Sequence, residues 1–246
     1  MKILGLDSSG LVAGIAIVED DLLLAEYNVN YKKTHSQTLL PMLDEVRKMI
    51  ELDMDSIDAI AIASGPGSFT GLRIGSATAK GLGMALDKPL VEVPTLEGLA
   101  YNLWGTESLV CPLIDARRNQ VYTGIYEFVR ENTQEQKIHI NIVETQCATD
   151  ISILIEKLNQ LGAKQPGRSV IFLGDGVPVY KEVIAQQIKI PYSFAPAGMN
   201  RQCAGSIAAL GAVYYAEGRV VSAAEHQPEY LRQSQAEREL AEKGQK

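Results

Sequence analysis

The sequence predicts the same order of secondary structure twice, and this internal duplication limits the fold more than any other feature. Apolar periodicity and turn residues indicate three strands, a helix, a strand and a helix in each half, followed by a further short strand or extended piece and a helix. In the first half we predict strands at 2–6, 12–18, 22–29, 59–63 and 90–93, and helices at about 36–50, 70–86 and 96–104. In the second half we predict strands at 109–114, 121–129, 138–145, 170–173 and 192–195, and helices at 151–161, 179–188 and 202–217. Ser36 or Thr38 is expected to cap the first helix, with Pro41 inside its first turn.

Matching turns follow the matching strands. An Asp-led turn comes after the first strand of each half, at 7–10 and at 115–119, and a glycine-bearing turn comes after the fourth, at 64–67 and at 174–176. Two such halves facing a cleft resemble the actin, Hsp70 and sugar-kinase superfamily, which implies an α/β fold of duplicated βββαβα halves. The resemblance also implies that these turns line the cleft around the phosphates of a nucleotide.

The duplication also predicts the domain organisation. Residues 1–105 form a first actin-like subdomain that carries the partner or dimer interface, and residues 106–200 form a second one. Residues 201–233 are expected to form a C-terminal helix and tail segment that pack back toward the first subdomain. Residues 234–246 are charged and lack apolar periodicity, so we predict a disordered tail there.

Composition limits the classes of function. Hydrophobic residues make up 46% and charged residues 22% of the 246, so the chain can bury a full core. The net charge of −7 opposes a third hypothesis, that this chain alone is a module that binds RNA directly. The three cysteines form no CxxC pair, which fits buried thiols in a reducing cytoplasm. No uncharged apolar stretch approaches about 20 residues, so we expect no membrane span.

The two kinds of turn supply groups that bind phosphate and hydrated Mg²⁺: a carboxylate, hydroxyls, and main-chain N–H groups freed by glycine. The residues predicted to face a nucleotide are Asp7, Ser8, Ser9, Gly65, Gly67, Gly174 and Gly176. The alternative is an ordinary polar turn, with Ser68 serving as a helix cap. Arg117 and Arg118 are candidate anion contacts, and the alternative for them is a solvated hairpin tip.

The helix after the first glycine-bearing turn carries small residues four positions apart. Glycine inside a helix costs about 1 kcal/mol relative to alanine, so this stripe indicates close approach of another element. That neighbour lies either in the same chain or in another subunit. Together with the apolar face of the preceding helix, the stripe is the predicted partner surface, made of Leu39, Met42, Leu43, Val46, Gly71, Gly75, Ala79 and Gly83.

Four stretches resemble the TsaB (YeaZ) family. They lie at 4–9, 35–41, 65–75 and 115–122, and 228–232 resembles the tail signature of the family. The run Gly-Pro-Gly-Ser-Phe-Thr-Gly at 65–71 is the most specific of them. The resemblance implies a role in forming N6-threonylcarbamoyladenosine at position 37 of tRNA, as a non-catalytic subunit that forms a heterodimer with TsaD and is joined by the ATPase TsaE.

The same resemblance implies a homodimer when TsaD is absent, and tRNA contact only within the complex. It implies no required cofactor, although weak binding of ATP or ADP with Mg²⁺ is compatible with the turns. The alternative function is a stand-alone ATPase or small-molecule kinase of the actin-like superfamily, which Asp7 and the glycine-bearing turns would support.

One motif separates the non-catalytic subunit from the stand-alone enzyme. TsaD-like enzymes, by the resemblance, hold a metal with a His-x-Glu-Gly-His motif after the strand that follows the glycine-turn helix. Here Glu97 and Gly98 are present, but Thr95 and Leu99 stand in the two histidine places. The three histidines, at 35, 139 and 226, have no paired spacing. Since leucine cannot bind a metal and threonine binds one weakly, the sequence predicts no metal site and no catalytic residue.

Overall fold

Each half of the chain forms one five-stranded sheet with helices on both faces. The computed structural model describes residues 1–31, 37–131 and 137–232. The elements of the first half are β1 (Lys2–Asp7), β2 (Val12–Glu19), β3 (Leu22–Asn30), α1 (Leu39–Met49), a 3-10 helix (Met54–Ser56), β4 (Ala59–Gly65), α2 (Phe69–Leu86), β5 (Leu90–Pro94) and α3 (Thr95–Tyr101). Those of the second half are β6 (Leu109–Asp115), β7 (Gln120–Arg130), β8 (Ile138–Asp150), α4 (Ile151–Lys164), β9 (Val170–Leu173), α5 (Val177–Gln187), β10 (Tyr192–Phe194) and α6 (Ala204–Ala216).

The two sheets have the same topology. The first has the order β3-β2-β1-β4-β5, and the second has the equivalent order β8-β7-β6-β9-β10. In each sheet the first three strands of the half form an antiparallel meander, and the last two strands run parallel to the first. The predicted duplication is therefore confirmed, and we call the two halves with their sheets the first and second lobes.

Most element boundaries lie within a few residues of prediction, and the largest difference is in β8. That strand continues to Asp150, five residues past its predicted end, because its polar C-terminal part pairs with the start of β7 at Gln120–Thr123. Such a polar stretch gives no apolar signal. Thr38 takes the N-cap position of α1, but its side chain makes no capping hydrogen bond to the helix, so the predicted cap is corrected. Pro41 lies in the first turn, as predicted. His35, the alternative cap Ser36 and the tail at 234–246 lie outside the described residues.

Alternation along β4 explains how the first sheet is covered. Ile60 and Ile62 point to one face, where they join the core formed with α1. Ala59, Ala61 and Ala63 point to the other face, where α6 packs. Small side chains on that face let the helix come close, as the direct contact of Gly211 with Ala61 shows. A helix from the end of the chain therefore covers the sheet built by its beginning.

A second helix links the lobes, because α3 of the first half packs on β6 and β7 of the second lobe as well as on β4 and β5 of its own. Leu96 and Leu99 of α3 share a buried cluster with Ile114 and Tyr126. The two helices α3 and α6 also contact each other. The lobes are thus joined by two helices that each belong to one half in sequence and pack against the sheet of the other.

Within the described ranges, no helix is both long and apolar enough to cross a membrane.

Candidate functional site: the cleft between the lobes

A cleft with a volume of about 510 Å³ lies where the matching turns of the two lobes meet. Its wall combines the two hairpin turns, the glycine-bearing turns, the start of α2 and a segment near the C-terminus. The lining residues are Ser9, Gly10, Leu11, Pro66, Gly67, Ser68, Phe69, Leu72, Ile114, Asp115, Ala116, Arg117, Tyr122, Asp175, Glu229, Tyr230, Leu231 and Arg232. Of the seven residues predicted to face phosphate, Ser9 and Gly67 lie in this wall.

The first hairpin turn directs its polar groups inward. Asp7 is buried, and its Oδ1 accepts hydrogen bonds from the N–H of Ser9 (2.8 Å) and from the Ser9 hydroxyl (2.7 Å). The buried Ser8 hydroxyl donates to the main-chain oxygen of Gly71 in α2 (2.8 Å). Asp7 and Ser8 therefore stabilise the turn and its contact with α2, and the prediction that they face the cleft is corrected.

The first glycine-bearing turn is held from three directions. Gly65 has φ of +124°, a conformation that favours glycine, and its N–H donates to Thr95 Oγ1 (3.0 Å). A Cβ at Gly65 would meet the main-chain oxygen of Glu229, so the C-terminal segment covers this residue and keeps it out of the cleft wall. The N–H of Ser68 donates to the Ser9 oxygen (2.6 Å), and Ser68 Oγ accepts the N–H of Gly71 (3.3 Å). The helix-cap interpretation of Ser68 is confirmed.

In the second lobe the acidic residue between the glycines is the one that reaches the cleft. Gly174, with φ of +105°, and Gly176 pack against Leu113, and neither lines the cavity. Asp175 lies between them and accepts the N–H of Asp115 (3.1 Å). Burial raises the pKa of the Asp175 carboxyl. The sequence contained a signal for this residue, because Asp175 separates two glycines that were predicted to belong to the site.

The second hairpin turn is exposed and internally bonded. Asp115 accepts the N–H of Arg117 (2.9 Å) and the hydroxyl of Tyr180 (3.3 Å), and it forms an ion pair with Arg117 (3.3 Å). Arg117 lines the cleft, whereas Arg118 is exposed outside the wall. Both arginines and Asn119 have positive φ, at +64°, +55° and +60°. Anion contact by these arginines stays a prediction.

The C-terminal segment was not predicted to be part of the site. Glu229, Tyr230 and Arg232 form one side of the cleft, with the Tyr230 ring centroid 4.6 Å from that of Phe69. The tail signature at 228–232 marked this stretch as specific to a family. Nothing in the spacing placed it beside turns that lie more than 100 residues earlier.

The predicted partner surface is also corrected. Leu39, Met42, Leu43 and Val46 of α1 are buried in the core of the first lobe. In α2, Gly71 and Gly75 lie directly against Ser8, Ala79 is fully buried, and Gly83 packs on Leu90 and Ala223. These eight residues therefore face the interior of their own chain. In α2, the small-residue stripe lets the first hairpin turn and the C-terminal segment come close to the helix.

Other side chains of the two helices are exposed. In α1, Leu40 is 53% and Met49 is 82% exposed, on opposite sides of the helix. In α2, Ala77, Gly81 and Met84 are exposed, and a Cβ at Gly81 would meet no atom within 4 Å. The exposed face of α2 therefore also carries small residues, beside the uncovered side chain of Met84.

The corner where TsaD-like enzymes carry histidines is packed and hydrogen-bonded. Thr95 Oγ1 accepts a hydrogen bond from the N–H of Gly65, and Leu99 lies in the buried cluster shared by the lobes. Glu97 is buried and accepts the hydroxyl of Tyr214, and burial raises the pKa of this carboxyl. Among residues 1–31, 37–131 and 137–232, no three His, Cys, Asp or Glu side chains are grouped so that they could hold a metal ion.

Comparisons with known proteins identify the family. A family model described as TsaD, tRNA N6-adenosine threonylcarbamoyltransferase, matches residues 23–240. The chain is 31% identical to the tRNA threonylcarbamoyladenosine biosynthesis protein TsaB of Bacillus subtilis, over 96% of each chain. It is 26% identical to the Escherichia coli protein of the same name, over 98% of each chain. YeaZ from Pseudomonas aeruginosa shares the fold, with a TM-score of 0.74 at 24% identity over 94% of this chain and 100% of that one.

These matches run through both lobes and include the helices α3 and α6 that link them, so they cover the architecture as a whole. The chain therefore belongs to the TsaB (YeaZ) family of tRNA threonylcarbamoyladenosine biosynthesis proteins.

Proposed function

We propose that this protein is a non-catalytic subunit for the formation of N6-threonylcarbamoyladenosine at position 37 of tRNA, and that it binds and activates TsaD together with TsaE. Membership of the TsaB family supports the pathway. The observation that carries the subunit role is the use of Thr95 and Leu99 for packing, where a TsaD-like enzyme would carry metal-binding histidines.

The state of the cleft supports the non-catalytic role. Asp7, the carboxylate at the end of β1, is buried and hydrogen-bonded within its own turn. Gly65 is covered by the main chain of Glu229. Weak binding of ATP or ADP is compatible with this geometry, whereas turnover would need a base and a metal-binding carboxylate. The carboxylates in the cleft wall have protein partners: Asp175 accepts the N–H of Asp115, Asp115 pairs with Arg117, and Glu229 accepts from Gln146.

The contact with TsaD is assigned to the exposed face of α2 that carries Ala77, Gly81 and Met84. Met84 offers an uncovered apolar side chain, and Gly81 leaves space for another helix to come close. An exposed glycine inside a helix costs about 1 kcal/mol relative to alanine, and a close contact with a partner would offset that cost. The same face would form the homodimer when TsaD is absent.

Substitution of Gly81 tests this assignment. We expect Gly81→Arg to lower the affinity for TsaD at least tenfold and to reduce threonylcarbamoylation by TsaD and TsaE in proportion, because the new side chain fills the space needed by the partner helix. Gly198→Arg in the second lobe is a matched control, since a Cβ there also meets no atom within 4 Å. Binding is measured by titration calorimetry with purified TsaD, and folding by circular dichroism.

Equal TsaD binding by the two variants would remove this face from the interface. Absence of binding by the unmodified protein, together with ATP turnover that Asp7→Ala abolishes, would favour the stand-alone ATPase instead.

A further inference from the structure

We propose that the segment Pro228–Arg232, here called the strap, fastens the two lobes together across the cleft and thereby sets the angle between them. On the first lobe, the N–H of Glu229 donates to the main-chain oxygen of Ser64 at the end of β4 (2.7 Å). The next side chain, Tyr230, packs on Phe69 at the start of α2, and the guanidinium of Arg73 lies 4.1 Å from the centre of the same Phe69 ring.

The strap reaches the second lobe through two other contacts. Gln146 of β8 donates from Nε2 to Glu229 Oε2 (2.5 Å). The guanidinium of Arg232 donates to the main-chain oxygen of Ala116 in the second hairpin turn (2.8 Å). Within five residues, the same segment therefore contacts both lobes, and its contact with Ala116 lies at the turn that forms part of the cleft wall.

The part of the chain just before the strap is anchored to the first lobe. Val221 pairs with Leu90 beside β5. Nδ1 of the buried His226 lies 2.6 Å from Glu92 Oε1, and Lys80 donates to the main-chain oxygens of Ala224 (3.1 Å) and His226 (3.0 Å). Loss of the contacts with Gln146 and Ala116 would therefore detach the strap from the second lobe, while the strap stays attached to the first lobe.

The rest of the fold permits such a motion. The lobes are joined by the helices α3 and α6, which pack against each other. Packed helices of this kind can act as a pivot in hinge or shear motion. The strap contacts are accessible to water, since Glu229 and Tyr230 are exposed, so each is weak and a ligand or partner that prefers another lobe angle could displace them. Release would also uncover Gly65, which the seated strap covers.

Distance measurements between the lobes test the strap in the full chain. Spin labels are placed at Thr70→Cys in α2 and Ile153→Cys in α4, both exposed, in a Cys147→Ser/Cys203→Ser background; Cys111 is buried and stays. Electron-electron double resonance should give one narrow distance distribution with the intact strap. We expect Arg232→Ala and, from the other lobe, Gln146→Ala each to broaden this distribution or add a second population, and the double variant to do so most.

The matched control for Arg232→Ala is Arg130→Ala, an exposed arginine at the end of β7 away from the cleft wall. Two independent single variants keep the test valid if one of them does not fold. Distributions identical to that of Arg130→Ala in the folded strap variants would overturn the proposal, because the strap would then be a surface segment without influence on the lobe angle.

Discussion

In the first lobe the hairpin turn after β1 is buried under α2, whereas in the second lobe the equivalent turn after β6 stays open to the cleft. Asp7 and Ser8 bond inside the protein. Asp115, at the position equivalent to Asp7, bonds to Arg117 in the cleft wall. The two lobes share their topology, but in the first lobe the helix after the glycine-bearing turn packs directly on the hairpin turn.

The small residues of α2 account for the burial. Gly71 and Gly75 lie directly against Ser8, so α2 comes close enough to cover the first hairpin turn. In the second lobe, the side chain of Asp175 connects the glycine-bearing turn to the main chain of Asp115. In the first lobe, close packing thus joins the hairpin turn to α2. In the second lobe, a carboxylate joins the hairpin turn to the glycine-bearing turn. Of these two arrangements, only the second leaves charged side chains of the turns in the cleft wall.

The largest effect is expected from Gly71→Ala, which would push α2 away from the first hairpin turn. A Cβ at Gly71 would meet the main-chain oxygen of Ser8, which cannot move without disturbing β1. We expect a loss of roughly 3 kcal/mol in the free energy of unfolding, the upper end of the usual cost of overpacking a core. Urea denaturation followed by circular dichroism measures it.

The control for that substitution lies in the same helix. At Gly81 the added methyl group meets open space, so Gly81→Ala should raise the stability by about 1 kcal/mol through helix propensity alone. Similar values for the two variants would mean that the stripe at 71, 75, 79 and 83 does not hold the first turn in place.

A smaller effect is expected from the two aspartates at equivalent strand ends. Asp7→Ala leaves the buried N–H and hydroxyl of Ser9 without this acceptor and should cost roughly 2 kcal/mol of stability. Asp115→Ala should cost about 1 kcal/mol or less, because water can replace the carboxylate at the exposed Arg117. Thermal unfolding of both variants under one condition gives the comparison, and a larger loss for Asp115→Ala would contradict the inward role of the first turn.

The smallest effect is a change in pH dependence at Asp175. Its folded-state pKa is raised by burial, so the folded protein binds more protons than the unfolded chain between the ordinary value of 3.8 and the raised one. Stability contributed by the protonated form is therefore lost as pH rises through this window. We expect the stability of Asp175→Asn, relative to the unmodified protein, to increase with pH across the window and then level off, as measured by urea denaturation at a series of pH values.

Glu97→Gln serves as a comparison in the other half, since burial also raises the pKa of Glu97. The same direction of change is expected. A pH-independent difference between Asp175→Asn and the unmodified protein would show that the carboxyl of Asp175 is solvated and that it does not join the two turns as described.

The predicted partner surface shows where sequence analysis reached its limit. The spacing of Gly71, Gly75, Ala79 and Gly83 correctly indicated a close approach to α2. It did not identify the neighbour, because Ser8 is 63 residues away from Gly71 in the chain. Gly81 lies on the same helix outside this spacing. Among the glycines of α2, it is the one at which an added Cβ would meet no atom within 4 Å.

The sequence by itself determined the duplicated order of elements, the family, and the residues Thr95 and Leu99 at the two places where the resemblance implies histidines in TsaD-like enzymes. These follow from local periodicity, turn chemistry and residue identity, which need no knowledge of distant contacts. Only the tertiary structure decided which polar groups line the cleft, that α3 and α6 link the lobes, and that residues 228–232 cross between them. The physical reason is that a polar side chain at a strand end can bond within its own turn or face a cavity, and packing by residues far along the chain selects between the two.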